Sequence, residues 1–185
     1  MQRINPKKIT TMSFGEAIKS VFSKYATFSG RARRSEFWYF VLFNFLVSFV
    51  LGLIPSLSWV SGLWALAILI PSLAVTVRRF HDIGKSGWTY LYFLIPGLLY
   101  VGYLFYFVFK YAFSYIQAGY DLDEEFVYDL LMSNNSSLAI IGILMLVSLI
   151  ASIILIVWMA RDSQPGENKW GPNPKELPGN EPQNL

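Results

Sequence analysis

The sequence of 185 residues is 54% hydrophobic and 15% charged, whereas soluble domains are about 25% charged. This composition excludes an ordinary soluble domain and indicates an integral membrane protein. The chain has no cysteine and one histidine, so we expect no thiolate site, no zinc and no cofactor, while carboxylate-bound magnesium is left open. Membrane spans must satisfy their backbone groups internally, which predicts an all-α, polytopic fold.

The net charge of +3 is unevenly distributed. Eight of the fifteen Lys and Arg residues precede Glu36, and three more lie between Arg78 and Lys85. These charges flank apolar segments instead of covering a soluble face, so the expected partners are the lipid bilayer and anionic phospholipid headgroups, and not nucleic acid.

The N-terminal segment predicts a helix on the membrane surface. Residues 1–12 are basic but lack an apolar core, so we expect no cleaved signal peptide. Ser13 and Glu16 have the spacing of a capping box, and apolar residues then recur at helical spacing from Phe14 to Tyr25. We predict an amphipathic helix in the membrane interface; the alternative is a helix packed on a soluble partner.

Four apolar segments are long enough to cross a bilayer of about 30 Å at 1.5 Å per residue. Pro71 should kink the second segment, and Pro96-Gly97 should interrupt the third, either at a transporter site or as a kink satisfied by neighbouring helices. We expect one membrane domain over residues 1–175 with a flexible tail at 176–185, and an acidic extracytoplasmic loop at 110–137. The predicted spans are about 37–57, 59–77, 88–109 and 138–159.

Charge placement predicts the topology. Fourteen of the fifteen basic residues lie in the N-terminal segment, the segment from Arg78 and the tail. Positive residues favour the cytoplasmic side, so both termini are expected there. The predicted spans contain no ionisable side chain, which weakens a proton-coupled transport hypothesis. Asn44 and Ser48 are interpreted as hydrogen-bonding partners between helices.

The segment from Arg78 to Trp88, RRFHDIGKSGW, is interpreted as a short loop at one membrane face. His81 titrates near neutral pH, Asp82 could orient it or hold a cation, and the two glycines allow close approach of a phosphate-like group. The alternative is an interfacial loop whose arginines only set the topology. A third polar segment, 162–174, has consecutive turn signals and Trp170, which predicts a cap folded back on the same face.

Three segments together resemble one family: GRARRSEFW at Gly30–Trp38, RRFHDIGKSGW at Arg78–Trp88 and PGENKWGPNPK at Pro165–Lys175. They are similar to the signature segments of YhaH-like bacterial inner-membrane proteins, a domain of unknown function. The resemblance implies a small multipass protein of the bacterial cytoplasmic membrane, without an assigned activity. This chain departs from compact members in having an acidic loop and another span before the third segment.

The leading hypothesis is a non-enzymatic protein whose cytoplasmic face binds an anionic lipid headgroup or a protein partner, and a homo-oligomer is also considered. One alternative is an interfacial enzyme acting on a phosphate-bearing lipid, with His81 as acid or base and Asp82 or Glu36 as metal ligand. Another is a small transporter or channel subunit. The candidate site residues are Arg31, Arg34, Glu36, Arg78, Arg79, His81, Asp82, Gly84, Ser86, Gly87, Trp88, Gly166, Asn168, Trp170 and Gly171.

Overall fold

The computed structural model describes residues 11–119, 124–132 and 134–176. Within them the regular elements are helices, which confirms the predicted all-α fold. The basic residues of segment 1–10, the acidic residues Asp121 and Asp123, and tail residues 177–185 lie outside the described residues. The helices are α1 (Phe14–Ser23), α2 (Arg34–Gly52), α3 (Ser58–Asp82), α4 (Leu91–Gln117), α5 (Glu124–Met132) and α6 (Asn135–Ala160).

Four helical segments of the described chain are long and apolar enough to cross a membrane, as predicted. The shortest has 19 residues. At 1.5 Å per residue it is about 28 Å long, close to the thickness of the hydrocarbon core. The four segments are Arg34–Gly52, Pro55–Asp82, Gly87–Gln117 and Asn135–Ala160.

The helix boundaries correct the expected short loop that begins at Arg78. Helix α3 continues through the charged residues and ends at Asp82, and a 3-10 turn at Gly87–Tyr90 leads into α4. The helix can continue because protein groups form ion pairs and hydrogen bonds with its last charged side chains, as the site geometry below shows. The acidic segment is also more helical than expected, since α4 extends to Gln117 and α5 follows.

The predicted interruption at Pro96-Gly97 is wrong, because α4 is continuous from Leu91 to Gln117. The first four N–H groups of a helix have no helical acceptor in any case. Pro96 is the sixth residue of α4, so its missing donor removes a single hydrogen bond near the helix start.

The chain forms two compact units, one within residues 1–90 and 158–185 and the other within 91–157. In the second unit, α4 and α5 are in contact through Tyr115 and Phe126, whose ring centroids are 5.1 Å apart. Most other apolar side chains of α4 and α6 are exposed. Such exposure is expected of helices that face lipid.

Helix α1 belongs to the first unit and begins with the predicted capping box. The Ser13 backbone N–H donates to Glu16 Oε2 at 2.8 Å, and the Glu16 N–H donates to Ser13 Oγ at 3.3 Å. Hydrogen bonding by the Ser13 backbone N–H and side chain lowers the pKa of the Glu16 carboxyl group. Ala17 and Val21 are fully buried where α1 packs on α2. The position of α1 in the membrane interface stays a prediction.

Helices α2 and α3 pack together, and Trp64 Nε1 donates to Asn44 Oδ1 at 2.9 Å. The predicted role of Asn44 between helices is therefore confirmed. Pro71 has no N–H, so the carbonyl four residues earlier, that of Ala67, lacks its helical donor. The Tyr25 hydroxyl donates to this carbonyl oxygen and so ties the segment after α1 to α3.

Candidate functional site

Arg31 joins all three polar segments. Its Nε donates to Asp82 Oδ1 at 3.0 Å, and its terminal nitrogens donate to three carbonyls of the C-terminal segment. Those carbonyls belong to Gln164 at 2.6 Å, Gly166 at 2.7 Å and Gly171 at 3.2 Å. A planar guanidinium presents five donors in a fixed fork, so this one side chain holds the third segment against the first two.

Asp82 is the acceptor around which this cluster is built, and its side chain is fully buried. Besides Arg31, it accepts from Arg79 NH1 and from Ser163 Oγ, the latter at 2.7 Å. Its backbone carbonyl also accepts from the Gln164 N–H at 2.9 Å. We call Arg31, Arg79, Asp82 and Ser163 the buried ion cluster. Two guanidinium groups share a single carboxylate there, so the cluster retains a net positive charge.

Arg79 uses its remaining donors on the end of α6. Its Nε donates to the Met159 carbonyl at 3.1 Å, and its NH2 donates to the Arg161 carbonyl. The last carbonyls of a helix have no helical donor and carry partial negative charge. A buried cation placed there is stabilised, and it fixes where the C-terminal segment begins.

Arg78 and Glu36 form a second buried pair. Arg78 NH1 donates to Glu36 Oε1 at 2.8 Å, and Ser20 Oγ of α1 donates to the same oxygen at 3.1 Å. Arg78 is 1% exposed, and its Nε and NH2 have no acceptor among the described residues. Removing one partner of such a pair leaves an uncompensated buried charge, so the pair locks α2 to α3.

His81 is engaged with protein groups on both sides. Its Nδ1 lies 3.1 Å from the Gly30 carbonyl oxygen, which can only accept, so Nδ1 carries a proton. Its ring is stacked on Trp170, with centroids 4.5 Å apart and planes 10° apart. Asn168 Nδ2 donates to the His81 carbonyl at 3.0 Å. These contacts hold the imidazole as part of the packing between segments.

The glycines permit close packing between segments. At Gly84 the backbone has φ +77°, and an added Cβ would lie 2.7 Å from Gln164 Oε1. At Gly87 an added Cβ would lie 2.5 Å from Val77 Cγ1. Gly166, with φ +67°, and Gly171, with φ +118°, form turns whose carbonyls accept from Arg31. Protein atoms thus occupy the space that the sequence suggested for a phosphate.

The structure therefore joins most of the predicted site residues and leaves four of them exposed. These four are Arg34, Gly84, Ser86 and Trp88, and Trp88 is 76% exposed. Sequence reasoning missed Ser20, Ser163 and the carbonyls of α6. The sequence gives little indication of these residues, because a serine on the polar side of an amphipathic helix and a serine after a membrane span are both common.

Exposed cations of the first unit lie over two tryptophan rings. Lys85 Nζ and the Arg161 guanidinium each lie 5.5 Å from the Trp158 ring centroid, and Lys169 Nζ lies 4.2 Å from that of Trp170. Two exposed acids accompany them. Asp162 is paired with Lys175, which lowers the pKa of Asp162, and Glu167 is also exposed.

No group of three or more His, Cys, Asp or Glu residues within 11–119, 124–132 and 134–176 is placed to hold a metal ion. Glu36 and Asp82, the carboxylates considered as metal ligands, each accept hydrogen bonds from protein donors.

The helices and this site define a class: an all-helical, multipass membrane protein whose polar segments are joined through buried ion pairs. The chain belongs to the family described as protein of unknown function (DUF805), whose model matches residues 25–119. The predicted family is thereby confirmed. Gly30–Trp38 and Arg78–Trp88 lie inside the matched residues, and Pro165–Lys175 lies beyond them.

Two relatives are inner membrane proteins of Escherichia coli (strain K12). Inner membrane protein YhaH is 39% identical over 99 residues, which covers 49% of this chain and 79% of the relative. Inner membrane protein YhaI is 40% identical over 95 residues, which covers 49% of this chain and 78% of the relative. No solved structure matches the chain significantly.

Proposed function

We propose that this protein is a non-enzymatic component of the cytoplasmic membrane that binds anionic phospholipid headgroups at the surface around the buried ion cluster. Both termini and this surface face the cytoplasm in the proposal. The supporting observation is that Lys85 and Arg161 lie on the ring of one tryptophan, each 5.5 Å from its centroid. Tryptophan and basic residues together are typical of the headgroup level of a membrane.

The buried arginines are not part of the proposed lipid-binding surface. Arg31 and Arg79 donate to Asp82 and to backbone carbonyls, and Arg78 donates to Glu36. A headgroup phosphate would have to displace these acceptors from the protein interior. The proposed ligand surface therefore consists of the exposed cations Arg34, Lys85, Arg161 and Lys169.

The positive charge of this surface is only partly compensated. Asp162 is engaged with Lys175, which leaves Glu167 as the other exposed acid of the segment. Each basic residue near an anionic membrane surface contributes about 1 kcal/mol of attraction. Trp88 is exposed and lies three residues after Lys85 in the sequence. Its side chain would anchor the proposed ligand surface at the headgroup level of the membrane.

The test compares anionic lipid retained by purified variants in native mass spectrometry. Lys85→Ala and Arg161→Ala should each lower the retained fraction about fivefold, as expected for the loss of about 1 kcal/mol. Lys110→Ala is a matched control, because Lys110 also lies over aromatic rings, those of Tyr106 and Tyr111. Unchanged lipid retention in the two variants, or an equal loss in the control, would overturn the proposal. A protein that copurifies with the wild type and is lost from Lys85→Ala, with lipid unchanged, would assign the surface to a protein partner instead.

A further inference from the structure

A groove lined by both polar and apolar side chains opens on the α2–α3 pair, and none of its lining residues belongs to the buried ion cluster. Its volume is about 290 Å³, and its polar lining consists of Asn44, Ser48, Ser61, Trp64 and Ser72. Asn44 is ten residues from the first residue of α2 and eight from the last. At 1.5 Å per residue this places it roughly 15 Å along the helix, near the middle of a membrane span.

The hydrogen bonds of this groove are incomplete. Ser72 Oγ donates to the Ile68 carbonyl at 2.7 Å, so this hydroxyl is satisfied within α3. Asn44 Oδ1 accepts from Trp64, but its Nδ2 amide group has no acceptor among the described residues. The Ser48 hydroxyl, one turn further along α2, likewise has no hydrogen-bond partner there. Polar groups left unpaired in hydrocarbon cost several kcal/mol each, so an external partner is favoured.

We infer that the groove is the contact surface for a second copy of this chain, arranged about a twofold axis along the membrane normal. Two copies inserted in the same direction bring each residue beside itself at the same depth. A carboxamide suits such a contact, because it has both donors and an acceptor with two lone pairs. The Asn44 N–H group of each copy donates to Oδ1 of the other, while each Oδ1 still accepts from its own Trp64.

A lipid chain would not satisfy the same groups. An acyl chain has no acceptor, so lipid in the groove would leave the Asn44 amide unpaired. Asparagine and serine side chains form hydrogen bonds across membrane helices, each contributing about 0.6 kcal/mol on average. Ser48 is exposed next to Asn44 on the same face, so the two hydroxyls also come together across the axis.

The test uses cross-linking in native membranes, which the absence of cysteine from the chain makes specific. Ser48→Cys should form a covalent dimer with a short, membrane-permeant thiol cross-linker. Leu46→Cys is the matched control, because Leu46 is exposed at similar depth on the same helix but points about 160° away from Ser48. Equal cross-linking of both variants, no cross-linking of Ser48→Cys, or a product with a different protein would overturn the inference.

Two further variants distinguish the hydrogen bond between the two copies from the hydrogen bond within one copy. Asn44→Leu in the Ser48→Cys background should lower the dimer fraction about threefold for each hydrogen bond lost, or about tenfold for the symmetric pair. Trp64→Phe removes the internal donor to Asn44 and leaves the amide in place, so it should retain the dimer. If Trp64→Phe abolishes the dimer while Asn44→Leu retains it, the carboxamide contact is wrong.

Discussion

The Tyr25 hydroxyl donates to the Ala67 carbonyl oxygen, which Pro71 deprives of its helical donor. A residue just after α1 thus supplies the hydrogen bond that this carbonyl of a membrane-spanning helix lacks. Tyr25→Phe removes the donor and should lower the free energy of unfolding by about 1 kcal/mol. Thermal unfolding in detergent measures the change.

The double-mutant cycle with Pro71→Ala is the control for this contact. Alanine restores an N–H that can donate to the Ala67 carbonyl, so Tyr25→Phe should cost less in that background. An equal cost in both backgrounds would show that the tyrosine acts through packing and not through the freed carbonyl.

The buried ion cluster should be the least replaceable part of the protein. Asp82→Asn removes the carboxylate shared by Arg31 and Arg79, and it leaves two buried guanidinium groups without their ion-pair partner. Loss of one partner of a buried pair costs about 3–5 kcal/mol, which should be visible as a large fall in unfolding temperature.

Asp162→Asn is the matched control for Asp82→Asn. This change also removes a carboxylate paired with a cation, Lys175, but the Asp162 side chain is 64% exposed. Exposed pairs contribute about 0–1 kcal/mol, so the unfolding temperature should change little. Equal effects of the two substitutions would contradict the structural role assigned to Asp82.

The sequence predicted the helices better than the site. Charge-free apolar runs of about 20 residues have few alternatives to a membrane helix, and the capping box at Ser13 is a local pattern. Arg78 to Asp82 was predicted as a loop because charge usually ends a span. Its helical state depends on acceptors that are distant in sequence: Glu36 in α2 and the carbonyls of Met159 and Arg161.

The pairing within the site could not be read from spacing for a similar reason. From the sequence Asp82 could orient His81 or hold a cation, but in the structure Asp82 accepts from Arg31, fifty-one positions away, and His81 contacts Gly30. The arginines predicted to bind a ligand are buried and bind protein groups instead. The spacing of apolar residues along a helix does not show how deeply the residues at its end are buried.

The Arg78–Glu36 pair predicts that changing both residues costs less stability than changing one of them. Arg78→Met alone leaves Glu36 buried with only the Ser20 hydroxyl as donor, and it should destabilise the protein by about 3 kcal/mol. Arg78→Met combined with Glu36→Leu removes both charges and the two unsatisfied donors of Arg78. The double variant should therefore be near wild-type stability in the same unfolding assay. A double variant less stable than either single one would contradict this account of the pair.

Membrane topology can be tested with single cysteines, because the chain has none of its own. Ser163 is a poor probe, since its hydroxyl donates to buried Asp82, and Ser133 lies outside the described residues. Exposed positions are better: Ser86 before α4, Ala118 after it, and Glu167 in the C-terminal segment.

With a membrane-impermeant maleimide on intact cells, only Ala118→Cys should react, because the basic segments are expected in the cytoplasm. Ser86→Cys and Glu167→Cys should react after the cells are opened, which shows that both thiols are accessible. Labelling of Ser86→Cys and Glu167→Cys in intact cells, with Ala118→Cys protected, would invert the topology. The proposed lipid surface would then face away from the cytoplasm, where the inner leaflet supplies anionic headgroups.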